Sequence, residues 1–486
     1  MSRSRLLCLG FVAVALTACV DEPTAPLLKS QKSFTVQATT PRYIVALKGK
    51  NPSRVFEARV AALGGVVEEN LAAIGGAVVS GLSETAVAQL RKSSDVLAID
   101  AEELIPFKTT STTPFALADD AAHVASVSMP NTAILYGLQW NLRAIGANQA
   151  WAAGKLGSSS VKVAILDTGL DTYSPDAAGL IDAASKSFVP ADDQWVSTLF
   201  PGRPMISDLN GHGTNVASQV SSAAWGFAGV NSRTKLLGVK VCSHALEGCP
   251  TIAILTGLLY AVSQNADVIN MSLGGAFLKV QSGATLSLLN RVFQIAEQQG
   301  VTVVVASGNS AYDMDHIPAA HFTYCDQTHV ICVTATGPTA TAASGAPLDN
   351  VDQFAPFSNY GRSRIDVAAP GGNFAVDANG DLVSAAWIYS ICSSSSADLI
   401  KDKDGNLIGL QKGFCAGPGI YVAGQIGTSQ AAPHVAGLAA LLVAQNGRNP
   451  ALIRQVIRET ADDLGPMGTD PYFGRGRINV AQALGL

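Results

Sequence analysis

Three segments, far apart in the chain, each carry a group suited to covalent chemistry. The run "VKVAILD" closes on Asp167 and is followed by Thr168-Gly169. His212 lies in "DLNGHGTNVAS", with glycine on both sides and small residues beyond it. Ser429 lies in "IGTSQAAPHVAGLAALLVAQ", where a small, turn-prone segment opens into a long run of Ala, Leu and Val. A carboxylate, an imidazole and a hydroxyl are the set that turns a weak alcohol into a nucleophile. The imidazole takes the hydroxyl proton and later returns it to the leaving group, while the carboxylate orients the ring and stabilises its charged form. Each context alone has a plainer reading: a turn, a surface or capping histidine, a helix N-cap serine. The three contexts together, in the order Asp, His, Ser, favour acyl transfer through Ser429.

The elements that must position these groups are legible as alternating strands and helices. "VKVAILDTG", "KLLGVKV", "ADVINMSLG", "VTVVVASGN" and "VICVTAT" are near-continuous β-branched runs, as strands buried on both faces should be. Helical stretches fall between them, for example Thr251 to Asn265 and Thr285 to Gln299. This predicts an α/β, doubly wound, mostly parallel sheet over residues 131–486, with sites at the carboxyl ends of its strands. Pro433 is expected in the first turn of the helix after Ser429, where no N–H is needed. Upstream, residues 41–105 read as β-α-β-β-α-β, a small α+β unit of ferredoxin-like type, with Ser83 as an N-cap. Residues 106–130 turn to Thr, Ser, Ala and Asp without period, which reads as a linker and a place for cleavage.

The segments "VAILDTGLD", "NGHGTNVAS" and "GTSQAAPHVAG" resemble the three signatures of the subtilisin-like serine proteases, the subtilase family. The likeness runs from about Gln139 to the C-terminus and includes "VINMSLGG", "VVVASGN" and "FSNYGRSRIDVAAPGG". The resemblance implies a serine endopeptidase with Asp167, His212 and Ser429 as its triad. Asn309 of "ASGN" would supply the oxyanion-hole amide beside the Ser429 N–H, a donor worth on the order of 10²–10³ in rate. Ser272, Leu273, Gly274 and Gly275 match the segment that pairs with a bound peptide. With Ala306, Ser307 and Gly308 they would wall the pocket for the residue before the cut bond, and walls this small predict an apolar or medium-sized residue there. A side chain at Gly274 would crowd the substrate strand. The 41–105 unit is similar to the family's inhibitor-type propeptides, which implies a zymogen whose propeptide is chaperone and temporary inhibitor. Polypeptide substrates and a monomer are expected, without nucleic acid and without a cofactor for the chemistry. A structural calcium is left open, with no metal ligands named.

The sequence departs from the family pattern in three places. Gln430 stands where the family commonly has Met, Asn215 stands where a second His is frequent, and Asn373–Gln425 is longer than usual. That insertion contains "DANGDL" and "KDKDGNL". Asp377, Asn379 and Asp381, or Asp402, Asp404 and Asn406, resemble fragments of calcium loops, but Asn-Gly and Asp-Gly between apolar residues predict hairpins, and no bidentate glutamate follows. A catalytically silent peptide-binding protein of this fold is the alternative reading, disfavoured because all four groups are present. A lipase of α/β-hydrolase type needs G-x-S-x-G and the order Ser, acid, His, and this chain meets neither condition.

Composition sets the surroundings. The chain has 486 residues, 48% hydrophobic and 14% charged with net charge −5, which suits a large core and gives no polybasic surface for nucleic acid. Residues 1–19 read as an export signal, with Arg3 and Arg5 before an apolar run; "LTAC" resembles a lipobox with Cys19 as the lipidated residue. Residues 20–40 follow as a polar tether, so an exported protein, anchored at the cell envelope or secreted, is expected. Beyond Cys8 and Cys19, the cysteines form three close couples: Cys242 and Cys249, Cys325 and Cys332, Cys392 and Cys415. Neighbour pairing is expected because each couple closes a short loop, contributing roughly 2–3 kcal/mol. A metal site is the rival, although CxxC spacing is missing and no His sits at ligand spacing.

Overall fold

Residues 42–101 fold as strand β1 (Arg42–Leu47), helix α1 (Arg54–Ala62), β2 (Val66–Leu71), β3 (Gly76–Ser80), α2 (Glu84–Leu90) and β4 (Val96–Ala101). The strands form an antiparallel sheet in the order β2-β3-β1-β4. Both helices start on serine caps: Ser53 Oγ accepts from Phe56 N and Ser83 Oγ from Ala86 N. Phe56, Val60, Val87 and Leu90 turn inward onto Val45, Val79 and Ile99 and form a core belonging to this unit alone. The computed structural model describes residues 41–49, 52–107, 109–117, 124–341, 348–376 and 383–486. The export signal, Cys19, the tether, and Asp377, Asn379 and Asp381 lie outside the described residues.

The stretch expected to be a structureless linker carries strands. β5 (Leu104–Pro106), β6 (Thr110–Ser111) and β7 (Phe115–Leu117) all pair with later parts of the chain. The expected boundary at 105 falls inside β5. These strands escape a search for periodicity because the backbone, rather than an alternating apolar face, makes the pairing.

The large sheet contains β8 (Lys162–Asp167), β9 (Lys235–Lys240), β11 (Val268–Met271), β12 (Thr302–Ala306), β13 (Val330–Gly337) and β14 (Val367–Pro370), with β10 (Gly248–Pro250) lying apart against β5. Its order is Gln353–Phe354, β13, β12, β11, β8, β9, Lys186–Ser187, and β14 also pairs with β13. All contacts are parallel except at Gln353–Phe354. Alternate residues of β8 serve two cores. Val163 and Ile165 face the cluster around the long helix at Ser429, while Ala164 and Leu166 face the cluster on the other side. Chain order reverses at β8, so Asp167 ends the strand at the switch point, where a crevice opens.

The helices that matter to the site are α3 (His212–Val220), α4 (Thr251–Ser263), α5 (Gly283–Gln298) and α6 (Thr428–Asn446). From Thr428 to Val443 α6 is buried throughout, packed on α3 and on β11, β12 and β13. The insertion adds β15 (Ile388–Ile391) and β16 (Ile420–Ile426), which pair antiparallel; β6 and β7 occupy the other edge of β16. It also holds a hairpin of Ala397–Lys401 and Leu407–Lys412. Disulfides join Cys242 to Cys249, Cys325 to Cys332 and Cys392 to Cys415, the last closing the insertion.

Candidate active site

Asp167, His212 and Ser429 are 262 positions apart from first to last, and the fold brings them to one crevice at the carboxyl end of β8. His212 is the first residue of α3, and its Nδ1 lies 2.7 Å from Asp167 Oδ1, with both side chains buried. The acid fixes the tautomer: Nδ1–H donates to it, which leaves Nε2 as the acceptor. Asp167 Oδ1 also accepts from Thr168 N at 2.7 Å. Gly213 permits the close approach, since a Cβ there would run into the Gly169 carbonyl.

Ser429 is the second residue of α6. Its hydroxyl donates to the Ser272 carbonyl at 3.0 Å, and Ser272 Oγ donates back to the Ser429 carbonyl at 2.7 Å. The Ser429 hydroxyl is therefore held at the end of β11 rather than on His212. This exchange also accounts for Pro433, which lies inside α6, one turn beyond Ser429, and not in the first turn. A proline there has no N–H for the Ser429 carbonyl, and the Ser272 hydroxyl takes up that acceptor. His434 follows, fully buried, with Nδ1 on the Gln430 carbonyl and Nε2 on Asn141 Nδ2, both 2.8 Å. Burial pulls its imidazole down to about 4, so it is a neutral structural ring.

Asn309 follows β12 and Gly308. Its Oδ1 accepts from Thr428 N and from Thr428 Oγ1, each at 2.8 Å, while Thr428 Oγ1 accepts from Gly308 N. With the oxygen so engaged, the amide presents Nδ2 as its unused donor, close by Gly427 at the start of α6. Asn359 braces the same loop: it donates to the Ser307 carbonyl and accepts from Ser310 N and Tyr312 N.

Ser272 is tied to Ser429 and Gly308 to Thr428, which sets both of the expected wall segments beside the start of α6. The extended segment lying in the crevice, Leu104–Phe107, pairs with β10, Ile105 standing opposite Cys249, and Phe107 N donates to the Glu247 carbonyl. Among the described residues no hydrogen bond joins 104–107 to 272–275, and Pro106 has no N–H to offer. Contact there is by side chain, with Ile105 against Gly275. Gly274 is also required by the fold itself, since a Cβ would meet the Thr323 carbonyl at 2.6 Å. Phe107 then lies edge-on to His212, ring centroids 4.7 Å apart.

Several residues of the site escaped the sequence reading. Asp208, fully buried, accepts from Thr168 Oγ1, Asn210 N and Gly211 N on Oδ1 and from Thr214 N and Thr214 Oγ1 on Oδ2. It thus ties the turn after Asp167 to the start of α3; an aspartate just ahead of a helix was the available signal. The two departures from the family pattern meet each other. Gln430 Nε2 lies 3.4 Å from Asn215 Oδ1 and 3.0 Å from Gln425 Oε1, while Asn215 Nδ2 donates to the Ile388 carbonyl and to Ser390 Oγ. Both residues therefore fasten the insertion to α3 and α6. Asp402, Asp404 and Asn406 form the turn of the insertion hairpin, in which both Asp402 oxygens accept from the turn itself. Among the described residues no cluster of three or more His, Cys, Asp and Glu is gathered as a metal site.

Comparison with known proteins agrees with this geometry. The model of the subtilase family matches residues 158–476. The chain is 32% identical over 358 residues to thermitase of Thermoactinomyces vulgaris, covering 73% of this chain and 99% of that protein. It is 32% identical over 359 residues to a thermophilic serine proteinase of Bacillus sp. (strain AK1), covering 73% and 69%. In fold it is similar to the epidermin leader peptide processing serine protease of Staphylococcus aureus, with a TM-score of 0.65 at 20% identity, covering 92% of this chain and 99% of that one. The chain belongs to the subtilase family. Its activity is that of a serine-type endopeptidase, and its substrates are polypeptides.

Proposed function

We propose that Ser429 is the nucleophile, His212 its general base and acid, Asp167 the group that orients His212, and Asn309 with the Ser429 N–H the oxyanion hole. The observation that carries this reading is the Asp167–His212 bond at 2.7 Å, with Ser429 and the unused Asn309 donor at the same crevice. In the reaction the Ser429 hydroxyl exchanges the Ser272 carbonyl for His212 Nε2 and attacks the peptide carbon. The oxyanion is met by Asn309 Nδ2 and by the N-terminal amides of α6. His212 protonates the leaving amine, and water, deprotonated by the same ring, then releases the acyl group from Ser429. The chemistry needs no cofactor.

The chain is made as a zymogen, and the 41–105 unit is its inhibitor. Supporting this, Asp100 Oδ2 accepts from Thr285 N in the first turn of α5, Arg291 of α5 donates to the Leu47, Ile74 and Gly75 carbonyls, and Thr251 N donates to the Glu103 carbonyl. The segment leading out of the unit puts Phe107 on His212, and Thr110 resumes beside Ile426, three residues before Ser429. The first bond cut is then the chain's own, between Phe107 and Thr110. The signal-like start and three disulfides support export, and the lipobox supports an anchor at Cys19. Expression of the full chain, followed by intact mass and a casein assay with a serine-directed inhibitor, tests the reading. Inhibitor-sensitive proteolysis and a cut at 107–110 are expected; hydrolysis of acyl esters without any cleavage of protein would overturn it.

A further inference from the structure

The insertion between Asn373 and Gln425 takes no part in the chemistry above, yet β16 runs directly into Gly427-Thr428-Ser429. One edge of β16 is held by β15, which Asn215 grips from α3, while Gln430 grips Gln425 from α6. Its other edge receives residues 110–117. Thr110 stands opposite Ile426 and Ser111 opposite Gln425, and Thr112 N donates to the Gly424 carbonyl at 2.9 Å. After a one-residue slip containing Pro114, Phe115, Ala116 and Leu117 stand opposite Val422, Tyr421 and Ile420. A proline is tolerated in such a slip because no ladder N–H is needed there. The Phe115 ring meets Tyr389 edge-on at 6.3 Å, and Leu117 packs on the cluster that holds Trp387, Val422 and Ile426. Ahead of this run, Leu104–Pro106 pairs with β10 and Phe107 lies against His212.

We propose that the edge of β16 is a binding strand for the residues that follow the cut bond of an extended polypeptide substrate, and that residues 110–117 are its first, tethered occupant. The substrate adds a strand antiparallel to β16, held by main-chain hydrogen bonds that ask nothing of its sequence. Apolar side chains are preferred at the positions matching Phe115 and Leu117. This rests on Ser429 as the nucleophile. The role given to the insertion is selection for length: a substrate must stay extended well beyond the cut.

The test uses the full chain after maturation and a Phe115→Ser/Leu117→Ser variant, in which the tethered strand holds the edge less firmly. Quenched peptides share the residues before the cut and carry about three or about nine residues after it. In the variant, kcat/KM is expected to be about tenfold higher for the long peptide, through KM, with a smaller gain in the unaltered protein, where the tethered strand competes. N-methylating the peptide amide that matches Thr112 should remove most of the gain. Equal kcat/KM for short and long peptides in both proteins would overturn the binding strand while leaving the nucleophile assignment intact. No hydrolysis of either peptide would overturn both.

Discussion

Replacing Asp208 by asparagine keeps its volume and removes one of its two acceptor oxygens. In the native site Oδ1 receives three donors and Oδ2 receives two, Thr214 N at 2.9 Å and Thr214 Oγ1 at 2.7 Å. The better placement of the amide keeps its oxygen on the three donors and sets its NH₂ against the Thr214 N–H. Thr214 Oγ1 already accepts from Asp171 N, and its second lone pair can take the NH₂, so the hydroxyl keeps a partner while the backbone N–H does not. One buried backbone donor is left unpaired, at about 1–3 kcal/mol. Loss of the negative charge at the start of α3 adds about 0.3–1 kcal/mol. The sum, about 1–4 kcal/mol, should lower Tm by several degrees in a Ser429→Ala background, where self-digestion is absent. His212 begins the same helix, so a displacement of about 1 Å there is expected to lower kcat about 10²-fold with little change in KM. Thermal melts and steady-state kinetics on a quenched peptide read the two effects. An unchanged kcat beside a lowered Tm would show that Asp208 supports the fold alone; if neither moved, the hydrogen-bond accounting would be wrong.

Ser429→Ala should lower kcat by about 10⁶ and leave the chain uncut between Phe107 and Thr110, both read from purified protein by activity and intact mass. Asp176 is fully buried, accepting from Trp225 N, Gly226 N and Phe227 N, and burial pushes its carboxyl up to about 6. An acid whose folded pKa is raised stabilises the fold when protonated. That contribution is full below about pH 4 and lost as pH rises through about 6, worth about 3 kcal/mol. Urea unfolding from pH 4 to 7 should show this loss in the parent and not in Asp176→Asn; parallel profiles would refute it. Gln430 places no thioether beside Ser429, so Gln430→Met should make activity sensitive to peroxide and the unaltered enzyme should resist it. Equal residual activities after peroxide treatment would count against this.

The strands that end at Asp167 and Ala306 were legible because burial on both faces writes a continuous β-branched run. The long helix after Ser429 was legible because it is apolar throughout. Pro433 misled because a proline usually marks a first turn; the Ser272 hydroxyl, 161 positions before it, takes up the Ser429 carbonyl that its missing N–H leaves open. That Gly274 also lies against the Thr323 backbone could not be read, since Thr323 is 49 positions downstream. Residues 104–117 could not be read as strands, since Pro106, Pro114 and the threonines carry no alternating face and their partners lie more than a hundred positions downstream. Asp208 and the Asn215–Gln430 contact were hidden for a related reason. Their roles depend on which donors and acceptors the finished fold sets beside them.

The Asn215–Gln430 contact carries a consequence for anyone wishing to transplant the insertion onto a sister enzyme as a module. The loop alone would arrive without part of its anchorage, because two of the amides that grip it belong to the recipient's own helices. A graft would have to swap those positions together with the added sheet. Otherwise the strand leading to the reactive serine would lose its seating, and the host would be impaired by a segment chosen to extend its reach.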